Sequence, residues 1–172
     1  ALYDTHYPAP GSPALAQKLV ELLAPDPVAL DKEAWGFDHG SWGVLIKMYP
    51  NADIPMVQLS IDSTKPAAWH FEMGRKLAAL RDEGIMLVAS GNVVHNLRTA
   101  RWHGENTPYP WATSFNDYVK AHLTWQGPVE QHPLVNYLDH EGGSLSNPTP
   151  DHYLPLLYVL GAWDGKESVT IP

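Results

Sequence analysis

The sequence predicts an α/β fold, with a largely parallel central sheet flanked by helices in a single domain spanning residues 1–172. Three adjacent segments predict it. "IPMVQLSI" (54–61) has the β-branched and apolar content of a strand. "TKPAAWHFEMGRKLAALRDEG" (64–84) has helical spacing and ends on Gly84, a residue suited to a helix C-terminus. "IMLVAS" (85–90) follows at once as an almost continuously apolar run, the pattern of a strand buried on both faces. Strand, helix and strand in that order form a βαβ unit, whose strands run parallel.

The remaining elements follow from local chemistry. Ser12 and Pro13 open a helix, as N-cap and first helical residue. Leu15, Leu19, Leu22 and Leu23 continue it at helical spacing until Pro25 and Pro27 end it. "VAL" (28–30) reads as a short strand. "SWGVLIKMYP" (41–50) reads as a helix opened by Ser41 and closed by Pro50. Thr64 or Ser63 is expected to cap the 64–84 helix. "WATSFNDYVKAHLTW" (111–125) is a further helix, and "PVEQHPLVNYL" (128–138) a weaker one interrupted by Pro133. "NPTPDHYLPLLYVLGAW" (147–163) is a helix with Thr149 as cap and Pro150 at its first position. "SVTIP" (168–172) starts another strand. The chain opens on Ala1 and a turn-rich stretch, "ALYDTHYPAPGSP", which reads as cut from something longer.

Composition narrows the function classes. Hydrophobic residues make up 44% of the chain, a folded composition, and no apolar run reaches the roughly 18 residues of a membrane span. Eleven Lys and Arg against 19 Asp and Glu give a net charge of −8, which disfavours nucleic acid as a partner. Cysteine is absent, so disulfides, thiolate metal sites and Cys nucleophiles are excluded, and a cytoplasmic location fits. Any bound metal must then use imidazole and carboxylate, and nine histidines are present. Phosphate loops, G-x-G-x-x-G, G-x-S-x-G and H-E-x-x-H are all missing.

Three histidines stand out by position. His95 lies five residues after Ser90, beyond the carboxyl end of a predicted strand, where open α/β sheets bind ligands. The "SGN" turn before it allows the chain to bring the ring back over the sheet edge; the competing reading is a packing residue that begins a short helix. His39, in "GFDHGSWG", lies just before a helix start able to hold an anion or oxygen; the competing reading is a loop histidine bonded to backbone. His152, in "NPTPDHYLPLL", lies in the first turn of a helix, where the dipole favours a neutral, metal-ligating imidazole; the competing reading is a surface histidine. His6, His70, His103, His122, His132 and His140 read as structural or surface residues.

Together "LYDTHYPAPGSP", "WGFDHGSWGVLIKMYP", "IPMVQLSI", "ASGNVVHNL" and "PDHYLPLLYVLGA" resemble the class III extradiol ring-cleavage dioxygenases, in the branch acting on DOPA, across essentially the whole chain. The resemblance implies a non-haem oxidoreductase that opens a catechol ring with O₂ at a mononuclear metal, with Fe(II) for activity and Zn(II) often bound in purified protein. It implies His152 as a metal ligand, His95 as the acid/base or an additional ligand on the metal, and His39 as a catalytic residue near substrate and oxygen. Members begin with a strand, a His-Gly-Ser-Pro block and a Ser-Ala-His-Trp block, each block supplying a metal-binding histidine, and they close with a further strand. None of these is in this sequence, which therefore reads as the C-terminal two-thirds of the pattern, an incomplete fold expected to be inactive alone. Many relatives use a carboxylate as third ligand where this branch uses His152, and an all-imidazole set suits zinc as well as iron. Two other classes compete: a binding module that works through the aromatic-rich "RWHGENTPYPW" (101–111), and a metal-dependent hydrolase using the same ligands.

Overall fold

Proline and short polar caps decide where the helices begin. In this computed structural model, which describes residues 4–31, 34–104 and 107–171, α1 spans Pro13–Leu22. The Ser12 hydroxyl accepts from the Leu15 N–H, as the sequence predicts. The start of the N-terminal turn-rich stretch, residues 105 and 106 of the aromatic-rich stretch, and the last residue of "SVTIP" lie outside the described residues. By internal contacts the chain divides into two units, residues 1–60 and 61–172.

In the first unit, α2 spans His39–Met48. It starts two residues earlier than Ser41 suggested, because Asp38 is the cap: its carboxylate accepts from the Ser41 N–H at 2.8 Å. The Gln58 side-chain oxygen accepts from both the Asp38 N–H and the Ser41 hydroxyl, each at 2.9 Å. The extended 54–60 stretch is thereby tied to the start of α2.

In the second unit, α3 spans Ala67–Leu77 and tightens into a 3₁₀ turn over Ala78–Glu83. Gly84 then ends it in the left-handed region at φ +75°. Neither Ser63 nor Thr64 caps α3; Thr64 instead bonds through its N–H and hydroxyl to the Asp62 carboxylate. α4 spans Pro110–His122, and the stretch interrupted by Pro133 resolves into 3₁₀ turns at Val129–Gln131 and Tyr137–Asp139. α5 is the single turn Gly143–Ser146. A 3₁₀ turn, Pro150–His152, leads into α6, Leu154–Ala162, so the predicted helix at 147–163 arrives in two pieces and Thr149 makes no side-chain cap.

The core of this unit gathers Phe115, Val119, Leu134, Val135, Tyr137, Tyr153, Leu154, Leu157 and Leu160. α3 and α6 cross against it at glycines. A Cβ on Gly74 would lie 2.1 Å from the Tyr158 carbonyl oxygen, and one on Gly161 would lie 2.0 Å from that of Phe71. His70, fully buried on α3, has Nδ1 3.1 Å from the Tyr158 hydroxyl. Burial holds the pKa of His70 down and pushes that of Tyr158 up to about 12.

The predicted largely parallel sheet is not present. Among the described residues no strand ladder forms, and the only β pairing is one isolated parallel bridge, Gly11 with Met56. The segments at 28–30, 54–60, 85–90 and 168–171 follow non-helical paths, yet Leu30, Ile54, Met86, Val88, Val169 and Ile171 remain exposed. The physical reason is that apolar and β-branched content expresses a preference for extended backbone and burial, whereas a strand exists only when a neighbour accepts from its N–H groups and donates to its C=O groups. Among the described residues these four segments do not pair with one another.

Leu157 is fully buried, so Leu157→Ala should lower stability by about 2–5 kcal/mol, and overpacking by Gly161→Ala should cost about 1–3 kcal/mol, both read from urea unfolding. His70 is held neutral by burial, so its unfolded form binds the extra proton. Its contribution is present above the ordinary value of 6.5 and is lost as pH falls below it. Unfolding midpoints measured between neutral and mildly acidic pH should therefore drop, and His70→Gln should flatten that slope.

Candidate functional site

Two irregular segments, distant in sequence, are held against each other in the second unit. The turn after Ser90 runs along residues 145–152. The Asn92 N–H donates to the His152 carbonyl and the His95 N–H to the Ser146 carbonyl, both at 2.8 Å. The Asn147 side-chain amide donates to the Val93 carbonyl at 2.9 Å, and the Asn96 amide donates to the Leu145 carbonyl at 2.7 Å. Only glycine fits at position 91: a Cβ there would stand 2.2 Å from the His152 carbonyl oxygen. The late segment is itself anchored by Tyr153, fully buried, whose hydroxyl donates to the Leu134 carbonyl at 2.8 Å. Loss of hydration raises the Tyr153 phenol pKa far above its ordinary value, so it stays a donor.

The result is a ring pair. His95 and His152 stack with centroids 3.5 Å apart and planes inclined by 10°. An imidazole ligand holds a metal in its ring plane, through an in-plane nitrogen lone pair. Two nearly parallel planes this far apart do not share a nearby point, so, as placed, one ring of the pair would hold a metal and the other would stand beside it. Nδ1 of His152 is 2.7 Å from an Asp151 carboxylate oxygen, a charge contact without the direction of a hydrogen bond. The Thr149 hydroxyl, then the Asp151 backbone and His152, hold the Asp151 carboxyl below the usual carboxylate range, so a negative charge stays beside His152. Among the described residues no three His, Cys, Asp or Glu side chains group as a metal site. The chemistry of this pair therefore fits one imidazole donor to a metal and one imidazole placed beside it for proton transfer.

His95 also lines a cavity of about 360 Å³ with Leu97, Arg101, Tyr109 and Trp111. The Arg101 guanidinium lies 4.0 Å over the Tyr109 ring and donates to the Thr107 carbonyl. The walls are mostly apolar with an aromatic face, and the His95 imidazole brings a ring nitrogen able to donate or accept a hydrogen bond.

His39 is the first residue of α2, in the first unit, and is exposed. It is placed there by the Asp38 cap and the Gln58 contacts rather than by a partner of its own ring. Of the other histidines, His132 is buried between Phe71 and Trp125, and its Nδ1 accepts from the Leu134 N–H. His122 and His140 flank the Tyr118 ring. Those roles are structural. Sequence reasoning passed over Gly91 as a contact residue, and over Asn96 and Asn147 altogether. The signal in each case was a small or amide residue within five positions of a candidate histidine, in a stretch too irregular to pair its own backbone.

Comparison with known proteins identifies the family. The family described as "Catalytic LigB subunit of aromatic ring-opening dioxygenase" matches residues 1–171. The 4,5-DOPA dioxygenase extradiol of Escherichia coli (strain K12) is 90% identical over 172 residues, covering 100% of this chain and 64% of that protein. That of Portulaca grandiflora is 36% identical, covering 99% of this chain and 63% of that protein. A crystal structure of an uncharacterized protein from Escherichia coli K12 superposes with a TM-score of 0.95 at 89% identity, covering 99% of this chain and 70% of that one. The chain thus spans slightly less than two thirds of the length of these two curated relatives. It belongs to the LigB family of aromatic ring-opening dioxygenases.

Proposed function

We propose that this chain carries the proton-transfer half of an extradiol dioxygenase that opens the ring of a catechol such as DOPA with O₂. The observation that carries the reading is the His95–His152 ring pair, assembled from two segments far apart in sequence inside a chain of this family. His152 is the residue that would hold a metal; His95, beside it and facing the cavity, is the acid/base. A divalent metal, when bound, acidifies a catechol hydroxyl, and Fe(II) in addition relays electrons to O₂ where Zn(II) does not. The cavity walls at Tyr109 and Trp111 receive the aromatic ring. His95 takes a hydroxyl proton and returns one to an oxygen of the opening product, a role that needs an imidazole within hydrogen-bond reach of the substrate. His39, the first residue of α2, is kept in this proposal as a further catalytic residue, and residues 1–172 as one catalytic domain. No helix among the described residues is long and apolar enough to cross a membrane; a cytoplasmic setting, with catechol and O₂ as the partners, follows as part of this proposal.

In full-length protein loaded anaerobically with Fe(II), His95→Ala should lower turnover by about 10²-fold or more. Catechol affinity should stay within a few-fold; near-normal turnover would remove His95 from the chemistry. His152→Ala should instead lose bound metal, measured by elemental analysis, and zinc-loaded protein should take up no O₂. Oxygen uptake with ring opening separates this reading from metal-dependent hydrolysis, which consumes water and no O₂.

A further inference from the structure

We propose that Asn96 and Asn147 are positioning residues that hold the His95 and His152 rings in register. The inference rests on the proposed function, since it is that chemistry which needs the two rings held together.

The two asparagines reach in opposite directions across one seam. Asn147, 3% exposed, extends from the late segment to the Val93 carbonyl; Asn96 extends from the turn to the Leu145 carbonyl. Between them lies the backbone bond from the His95 N–H to the Ser146 carbonyl. The turn after Ser90 is neither helix nor strand, and Leu145 and Ser146 are the last residues of the single-turn α5, whose final carbonyls have no donor within the helix, so a backbone N–H and side-chain amides supply donors across the seam. The acceptor at Val93 settles which end of the Asn147 amide is nitrogen. Its oxygen has no hydrogen-bond partner among the described residues, so the crossing bond is the polar contact that orients this side chain. Asn96 is bound at both ends: its oxygen accepts from the Arg98 N–H at 3.1 Å, stiffening the turn that follows His95.

Beside the backbone bonds, the ring stack itself and the packing of Val93 and Val94 on the core, these two amides supply side-chain hydrogen bonds across the seam on either side of His95. His95 contributes its own N–H to the seam, so a slip between the segments moves the ring as well. A displacement of about 1 Å between reacting groups can cost about 10²-fold in rate.

The test uses full-length, Fe(II)-loaded protein with Asn96→Ala, Asn147→Ala and the near-isosteric Asn147→Asp, whose side chain cannot donate to Val93. The expected result is a fall in kcat of about 10- to 100-fold with KM for the catechol changed less than about threefold, and metal content unchanged. Amide exchange followed by NMR should show the His95 and Asn92 N–H groups exchanging about tenfold faster, while Val119 and Leu157 in the core keep their protection. Asn96 lies at the surface end of the seam, so its variant answers the question if the Asn147 variants do not fold. Unchanged exchange at His95, or equal loss of protection in the core, overturns the proposal; so does an unchanged kcat in active protein. If the wild-type protein opens no catechol ring, the functional reading fails, and the exchange arm still decides whether the asparagines hold the seam.

Discussion

The candidate site depends on one close approach, that of the chain at Gly91 to the carbonyl of His152. There is no space for a side chain between them, and the adjacent Asn92 N–H bonds to the same oxygen. Once these two backbones are in contact, the residues on either side have little freedom. The His95 N–H reaches Ser146, the asparagine amides cross, and the two imidazoles come to lie face to face. The constraint is steric first and polar second: glycine permits the approach, and hydrogen bonds then compensate the carbonyls that lose water.

This contact is only as steady as its supports. The late segment is fixed by the residue after His152, because Tyr153 is wholly enclosed and its hydroxyl reaches Leu134. The same core holds Leu154, Leu157 and Leu160 of α6, and α6 packs on α3 at distances that exclude a methyl group at Gly74 and Gly161. An imidazole on an irregular turn is thus carried by a rigid neighbour, an arrangement suited to chemistry that tolerates little misplacement.

Much of the helical part was legible in the sequence. Ser12-Pro13, Gly84 and the spacing within residues 111–125 each act locally, so the local pattern is enough to read them. Asp38 displaced Ser41 as a cap because both are good caps, and the choice between them turns on contacts with Gln58 twenty residues away. The sheet was misread for a related reason: pairing is a relation between segments, and residues 54–60 and 85–90 show only their side of it. The two members of the ring pair were legible as separate candidates, His95 by its place after an apolar run and His152 by its place at a helix start. Their contact was not, since it is made by Gly91, Asn96 and Asn147, residues that look like ordinary turn formers until a second segment is set beside them.

Asn147 is followed in the chain by Pro148. Asparagine ages chiefly when the amide nitrogen of the next residue attacks the side-chain carbonyl and closes a succinimide ring, releasing ammonia, after which water opens the ring and leaves a carboxylate. Proline offers no N–H for that cyclisation. The side chain whose conversion to aspartate would turn a donor toward Val93 into a repelling oxygen is therefore shielded from that change by its own neighbour, whereas Asn96, followed by Leu97, has no such shield.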